Sequence, residues 1–425
     1  MQIKLVLKPI LVVIVVLLAT SNAALANESS DYIDELLVSD AFHPPGEGAP
    51  GYLYNEWHYF NMIDEEQNLS AVCIFKLNGG TNSSQVLFGY YVNETSAFFY
   101  ESYPLTPEVV SYSSQSPDVR IANNTVTLTG EGYRVHLESG NGSTVFDALF
   151  KPETKPAPVF NTSNLSMPGM GINWLVASPK MEVSGNLSVA GETYSLNNSR
   201  AYHDHNWGYW SWGDDLGWDW GQVSHAGNYS NETIEAYSLS FGNITNANHS
   251  QSVSSVLNVW KDGEIIANFS GEEIQIERSN LSTTDIGIPP GEIPPTYILP
   301  QGSFPFPQNT LLNASSGSDT LNIEFTTQHP VPIPVMIPDG SEIGNESENE
   351  SGNESGNESG IESGIESGIE VESGIKYRII WEMIGTYQVN GTIDGKPISY
   401  TADGFMEYVA GMPVEPEPFV PASPQ

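Results

Sequence analysis

The 425-residue chain carries 52 acidic residues against 14 Lys and Arg, a formal charge of −38, and a single cysteine. So large a negative excess excludes electrostatic capture of nucleic acid or of an anionic membrane. One cysteine excludes an intrachain disulfide, so an apolar core has to hold the fold together.

Residues 1–26 read as a signal peptide. Lys4 and Lys8 form the positive region, Ile10 to Ala19 the apolar run, and Ala24-Leu25-Ala26 a small-x-small cleavage signal. Without the leader's two lysines the charge becomes −40. No later stretch holds about 18 uninterrupted apolar residues, so no further membrane span is expected. Asn-x-Ser/Thr sequons number 22, from Asn27 to Asn390. In an exported chain they mark surface positions open to glycosylation. The expected location is therefore secreted or cell-surface.

Short runs of β-branched and aromatic residues then recur between Gly, Asn and Asp turns. "EWHYFNMI", "DEEQN" and "LSAVCIFKL" read as a hairpin, with Cys73 as a buried apolar residue. "QVLFGYYVN", "TVTLTGEGYRVHLES" and "TVFDALFKP" continue the pattern. A Pro-rich passage, 151–171, predicts a boundary between a domain at 27–165 and one at 166–412. Strands return in "MEVSGNLSVAGETYSL", "IEAYSLSFGN", "SVLNVWKDGEIIANFSG" and "LNIEFTTQHP". Proline density over 287–307 predicts a surface loop. Residues 341–374, with ten glutamates and four sequons, predict a disordered, glycosylated insertion. Three strands follow in "KYRIIWEMIGTYQVNGTIDGKPISYTADGFMEYVAG", then a Pro-rich tail, 413–425. The class expected is all-β, with antiparallel sandwiches or barrels.

The stretch "AYHDHNWGYWSWGDDLGWDWGQV", 201–223, holds five of the nine tryptophans. If extended, it projects His203, His205 and Trp207 to one face and Asp204 and Asn206 to the other. Trp210 and Trp212 share a face, as do Trp218 and Trp220, opposite Asp219. Indoles beside a few polar groups are the make-up of a small-molecule pocket. They also suit chemistry through a carbocation, which a ring face stabilises by about 2 kcal/mol or more once water is excluded. Such chemistry needs a positioned acid, which His205 with Asp204 or Asp219 would supply beside Trp207. A structural role fits as well, with the indoles filling a barrel end and Asp and His capping turns. His-x-His with carboxylates is a conceivable ligand set, but His225 and His249 are isolated, so no metal and no cofactor are expected. The chain has no Gly-x-Ser-x-Gly elbow, His-Glu-x-x-His, P-loop or dinucleotide fingerprint.

Four pieces resemble the AttH-like and carotenoid 1,2-hydratase (hydroxyneurosporene synthase) proteins. They are "EWHYF" (56–60), "INWLVASPKMEVSGNLSVAGETYSL", "AYHDHNWG" (201–208) and "WEMIGTYQVNGTIDGKPISYTADGFMEYV". The resemblance implies two lipocalin-like antiparallel β-barrels packed together, with an apolar ligand within or between them. It implies a His-x-Trp pair, met by His205 and Trp207, acting with a Tyr-x-Asp pair. The second is matched by Tyr237, with Leu239 in place of the carboxylate. His58 stands where the opening box has an aromatic. The ligand-binding set is then Trp57, Trp210, Trp212, Trp218, Asp219, Trp220 and Glu382, although Trp57 and Glu382 also fit packed core. The function expected is acid-initiated hydration or cyclisation of an isoprenoid or polyene. The alternatives are a non-catalytic carrier of a hydrophobic ligand and a purely structural surface glycoprotein. The expected partner is an apolar small molecule, not nucleic acid; contact with a membrane surface and the oligomeric state stay open.

Overall fold

The computed structural model describes residues 32–46, 51–92, 95–163, 170–189, 191–197, 199–212, 215–225, 228–229, 232–233, 236–285, 303–337 and 376–409. The leader 1–26, the insertion 341–374 and the tail 413–425 lie outside the described residues, as does most of the Pro-rich passage 287–307. The architecture is almost all-β, two large antiparallel sheets, one of them nearly closed into a barrel.

A short helix, α1 (32–39), comes first. The first sheet then takes β1 (Tyr54–Asp64), β2 (Leu69–Asn78), β3 (Ser83–Val92), β4 (Thr95–Pro104), β5 (Val110–Tyr112), β6 (Asp118–Ile121) and β7 (Asn124–Thr129). It continues with β8 (Gly132–Glu138), β9 (Val145–Pro152), β10 (Phe160–Ser163), β11 (Gly171–Val189), β12 (Glu192–Ser195) and β13 (Ser199–Tyr209). The second sheet takes β14 (Gly217–Ser224) and, after the small hairpin of β15 (Asn228–Tyr229) and β16 (Glu232–Thr233), β17 (Tyr237–Thr245), β18 (Ser252–Lys261) and β19 (Glu264–Ser270). It ends with β20 (Ile274–Asp285), β21 (Ser303–Ser316), β22 (Asp319–Ile337), β23 (Lys376–Ile393) and β24 (Lys396–Val409). Each sheet's two edge strands, β4 and β5 or β19 and β20, are consecutive in the chain, so each sheet curls back toward itself.

The first sheet extends past the expected boundary at 165/166. Strand β13 lies at its centre, paired with β1 from Tyr54↔Tyr209 to Ile63↔Arg200 and with β11 on its other side. The chain changes sheet between Tyr209 and Gly217. The Pro-rich passage 151–171 is thus a detour within the first sheet, and it ends in the short pairing of β10 with β11. The turn residues there mark a break in pairing, and pairing across distant strands decides which sheet continues.

Burial patterns separate two kinds of strand. Strands β7 to β9 alternate buried and accessible residues, as expected when one face meets solvent. Strands β14 and β17 are buried at every position. One face of each lines the second barrel and the other packs on the first. Three apolar clusters follow. One fills the first barrel and includes Cys73 and the α1 residues Ile33 and Leu36. One fills the second barrel. The third lies between the sheets and joins Tyr59, Trp174 and Tyr202 to Trp218, Trp220 and Ile384.

The predicted surface loop ends earlier than expected, because β21 takes in Phe304, Pro305, Phe306 and Pro307. There β21 pairs with β20 alone, and β22 joins it from Asn309 onward. A proline, lacking the N–H, is tolerated where one side of a strand is unpaired, and burial of Phe304 and Phe306 holds the segment down.

Candidate functional site

The pleat of β13 presents two different surfaces. Its even residues Tyr202, Asp204 and Asn206 face the interface between the sheets, beside Trp57, Tyr59 and Asn61 of β1. Its odd residues His203 and His205 face the first barrel, beside His58 and Phe60. Gly208 closes the stretch with φ 149°; a Cβ there would meet the Gly171 carbonyl oxygen at 2.1 Å, so the β11–β13 approach requires glycine.

The interface side holds a partly open cavity, with about 530 Å³ of empty space when the solvent at its mouth is counted. Its walls include Trp57, Tyr59, Trp174, Trp218 and Trp220, and its polar groups include Asp204, Asn206 and Glu407. Trp174 fits because residue 242 is glycine: a Cβ at Gly242 would stand 2.8 Å from its ring. The Trp174 Nε1–H donates to Asp204 Oδ2 at 2.7 Å, Tyr202 donates to the same oxygen at 2.8 Å, and the Asn206 amide donates to Oδ1 at 3.2 Å. Burial still outweighs these neutral donors and pushes the Asp204 carboxyl up to about 8.

Glu407 is the second carboxyl on the wall, and Trp218 Nε1–H donates to it at 2.8 Å. It stands directly opposite Glu382 across β23 and β24, and Glu382 accepts the Tyr59 hydroxyl at 3.1 Å. Burial, then the neighbouring Glu407, raises Glu382 well above the carboxylate range; burial raises Glu407. Two buried carboxyls side by side cannot both ionise, so the pair retains a proton. Asp219 behaves oppositely. The pleat of β14 turns its carboxylate away from Trp218 and Trp220, and Arg278, Asn243 and His249 engage it. Burial opposes its ionisation, but these partners hold it down at about 2.

The first-barrel side of β13 holds a buried polar network. Asp40, which follows α1, is fully buried and accepts hydrogen bonds from the Tyr133 hydroxyl at 2.6 Å and from His205 Nδ1 at 3.0 Å. His205 Nε2 lies 2.8 Å from Glu56. Burial disfavours a charged His205, but the two carboxylates outweigh it and hold the ring protonated, up to about 9. His58 stacks on His205 at 3.9 Å between ring centres. Burial, then the positive His205, pushes His58 well below the usual range. Trp207 stacks on His43 at 3.7 Å, also away from the cavity.

Comparison with known proteins places this architecture. No family model matches the sequence, and no curated protein matches it. An AttH-type protein from Nitrosomonas europaea superposes with a TM-score of 0.50 over 88% of this chain and 98% of its own, at 13% identity. The fold is that of the AttH-like proteins. Kievitone hydratase from Nectria haematococca gives a TM-score of 0.48 over 88% of this chain and 94% of its own, also at 13% identity.

Within this AttH-like fold the residues singled out from sequence divide into several groups. Trp57, Asp204, Trp218, Asp219 and Trp220 border the cavity. Trp210 and Trp212 pack behind Trp57 and Trp218, where Trp57 and Trp212 cage Lys76, whose amine burial draws down to about 7. Glu382 stands behind Glu407. His205 and Trp207 are on the other face of β13. Tyr237 and Leu239 point into the second barrel's apolar core, so a carboxylate at 239 would not reach the cavity. Asn243 is buried beside Asp219, which rules out a glycan at that sequon. Sequence reasoning misses Glu407, Trp174 and Tyr59. Glu407 does carry a signal: it is a lone carboxylate in the apolar run "GFMEYV", one strand away from another such residue, Glu382.

Proposed function

We propose that the cavity between the sheets takes up an apolar, unsaturated ligand of isoprenoid or polyene type and adds a proton to it, leading to hydration or cyclisation. The observation that carries this reading is Glu407. It is a buried carboxyl on a wall of indole rings, backed by Glu382, and among the described residues no Lys, Arg or His lines the cavity to hold it ionised. The Glu407 proton passes to one carbon of a trisubstituted double bond, whose π pair forms the new C–H bond. The tertiary cation left behind is stabilised by the ring faces of Trp57, Trp174, Trp218 and Trp220. Water adds through its oxygen and returns a proton to the Glu407 carboxylate, or an internal double bond attacks the cation, closes a ring and leaves a new cation whose neighbouring C–H proton returns to the same carboxylate. Glu382 keeps the pair supplied with a proton. Asp204, with both oxygens taken by Trp174, Tyr202 and Asn206, orders the wall. The resemblance of "AYHDHNWG" and its companion boxes to the carotenoid 1,2-hydratases supports the same substrate class, and the leader and sequons support an exported location.

The test is incubation of the mature protein with an acyclic polyene bearing a terminal trisubstituted double bond, followed by mass spectrometry. A product heavier by one water, or an isomer with one more ring, is expected from the wild type. Glu407→Gln should take up the polyene and convert it at least about a hundredfold more slowly. Unchanged turnover in Glu407→Gln removes Glu407 as the donor. Absence of polyene uptake by the wild type removes the reading altogether. The alternative is a non-catalytic carrier of the same ligand. It predicts uptake without product by both proteins.

A further inference from the structure

The polar network inside the first barrel is on the opposite face of β13 from the cavity, and the proposed chemistry does not use it. We propose that Asp40, His58 and His203 form a binding site for one divalent transition-metal ion of the zinc class, linking α1 to β1 and β13. This runs against the expectation of no metal, which rests on spacing along the chain.

Three observations carry the assignment. His58 is about as buried as a residue can be, 1% exposed, yet neither ring nitrogen has a hydrogen-bond partner. An unpartnered buried imidazole is costly unless something outside the hydrogen-bond network binds it. Its Nδ1 lies 3.7 Å from Asp40 Oδ1.

The second observation is His203. Its Nδ1 lies 2.9 Å from the Tyr59 backbone carbonyl, which can only accept, so Nδ1 carries the hydrogen. Its Nε2 faces Asp40 Oδ2 at 3.0 Å, an oxygen that already accepts the Tyr133 hydroxyl. A cation has to lie between these two atoms, either the proton of an imidazolium or a metal ion. A carbonyl holding the far nitrogen of a histidine is also the usual outer-shell support of a metal-bound ring.

The third is the spacing. One ligand atom from each of Asp40, His58 and His203 fits within a mutual 4.8 Å. Tetrahedral zinc with bonds of about 2.0–2.1 Å sets its ligands about 3.3–3.4 Å apart; His203 Nε2 stands 3.0 Å from Asp40 Oδ2 and His58 Nδ1 3.7 Å from Asp40 Oδ1, so each ring lies within a few tenths of an ångström of that spacing from one carboxylate oxygen. Imidazole and carboxylate suit zinc and its first-row neighbours rather than calcium or magnesium. His58 and His203 reach the same side from neighbouring strands, since His58 pairs with His205 and Phe60 with His203. A second triad, His43, Glu56 and His205, lies on the surface side; the His43 side chain is 30% exposed and offers the way in.

The experiment uses the mature chain without an oligohistidine tag, stripped with chelator and titrated with Zn²⁺ against a chromophoric competitor. Excess Ca²⁺ occupies the exposed carboxylates. One equivalent of tight Zn²⁺ and a rise in Tm on its addition are expected. His58→Phe keeps the ring stack on His205 and removes only the unpartnered nitrogens. It should keep its near-ultraviolet circular dichroism and weaken Zn²⁺ binding by more than about a hundredfold, the upper end of losses seen when an outer-shell partner alone is removed. Failure of the folded wild type to bind one equivalent overturns the proposal. So does equal affinity in His58→Phe. If that variant does not fold, Asp40→Asn replaces it under the same criterion. Polyene uptake, measured on the same stripped samples, reports on the cavity separately.

Discussion

Strand β13 carries an ionic network on one face and a neutral acid on the other. His205, protonated, sits between the carboxylates of Asp40 and Glu56. One residue earlier, Asp204 faces only the neutral donors of Trp174, Tyr202 and Asn206. Both residues are buried, so depth alone does not decide which group is charged. The partner does: an opposite charge offsets desolvation, and a neutral donor offsets only part of it. The pleat then keeps the two environments apart while their Cα atoms stay neighbours.

That comparison can be broken from either side. The largest effect is expected on the cavity face, where Glu407→Gln should lower turnover by about 10²–10⁴-fold, the span of a lost general acid, with the unfolding midpoint nearly unchanged. Asp204→Asn keeps acceptors for Trp174 and Tyr202, and its turnover should fall less than tenfold, about 1.4 kcal/mol at most in the barrier. A larger loss in Asp204→Asn than in Glu407→Gln would exchange their roles.

On the network face the loss should appear as stability. His205→Ala leaves two buried carboxylates without their cation, at a cost of about 3–5 kcal/mol, read by urea denaturation. Cavity chemistry per folded molecule should persist. Its disappearance in protein that is fully folded would move His205 into the reaction.

A smaller effect tests how the cavity is shaped. Gly242→Ala puts a methyl 2.8 Å from the Trp174 ring, which must shift or the strand must yield. The expected cost is about 1–3 kcal/mol of stability, together with weaker ligand uptake and a changed indole emission. Unchanged uptake would show that Trp174 is not a wall the ligand touches.

The second barrel supplies a control. Despite the opposing effect of burial, Asp219 is held down at about 2 by His249 and Arg278, against a usual 3.8. Its folded-state value is depressed, so its stabilisation is complete above pH 4 and disappears as pH falls through 2. The amount is about 2 kcal/mol. Urea midpoints at pH 5 and pH 2 should differ less in Asp219→Asn than in the wild type by that margin.

The class of fold and the alternation within the key strand are legible in the chain itself. Runs such as "LSAVCIFKL" and "TVTLTG", broken by Gly and Asn turns, dictate strands because β-branched and aromatic residues fit a half-buried pleat. A period of two is enough to put His203 and His205 opposite Asp204. Which of those faces meets the cavity is a tertiary matter, and it is the face of Asp204. Tertiary pairing also places β13 in the first sheet, beside β1, although the Pro-rich passage suggests an earlier boundary. It brings Glu407 beside Glu382, and Asp40 and His58 beside His203, across as many as 163 residues of chain between hydrogen-bonded partners. A local pattern decides which side chains share a side of a strand. Which strands become neighbours, and so which charges are paired or left neutral, follows from hydrogen bonding and burial summed over the whole chain.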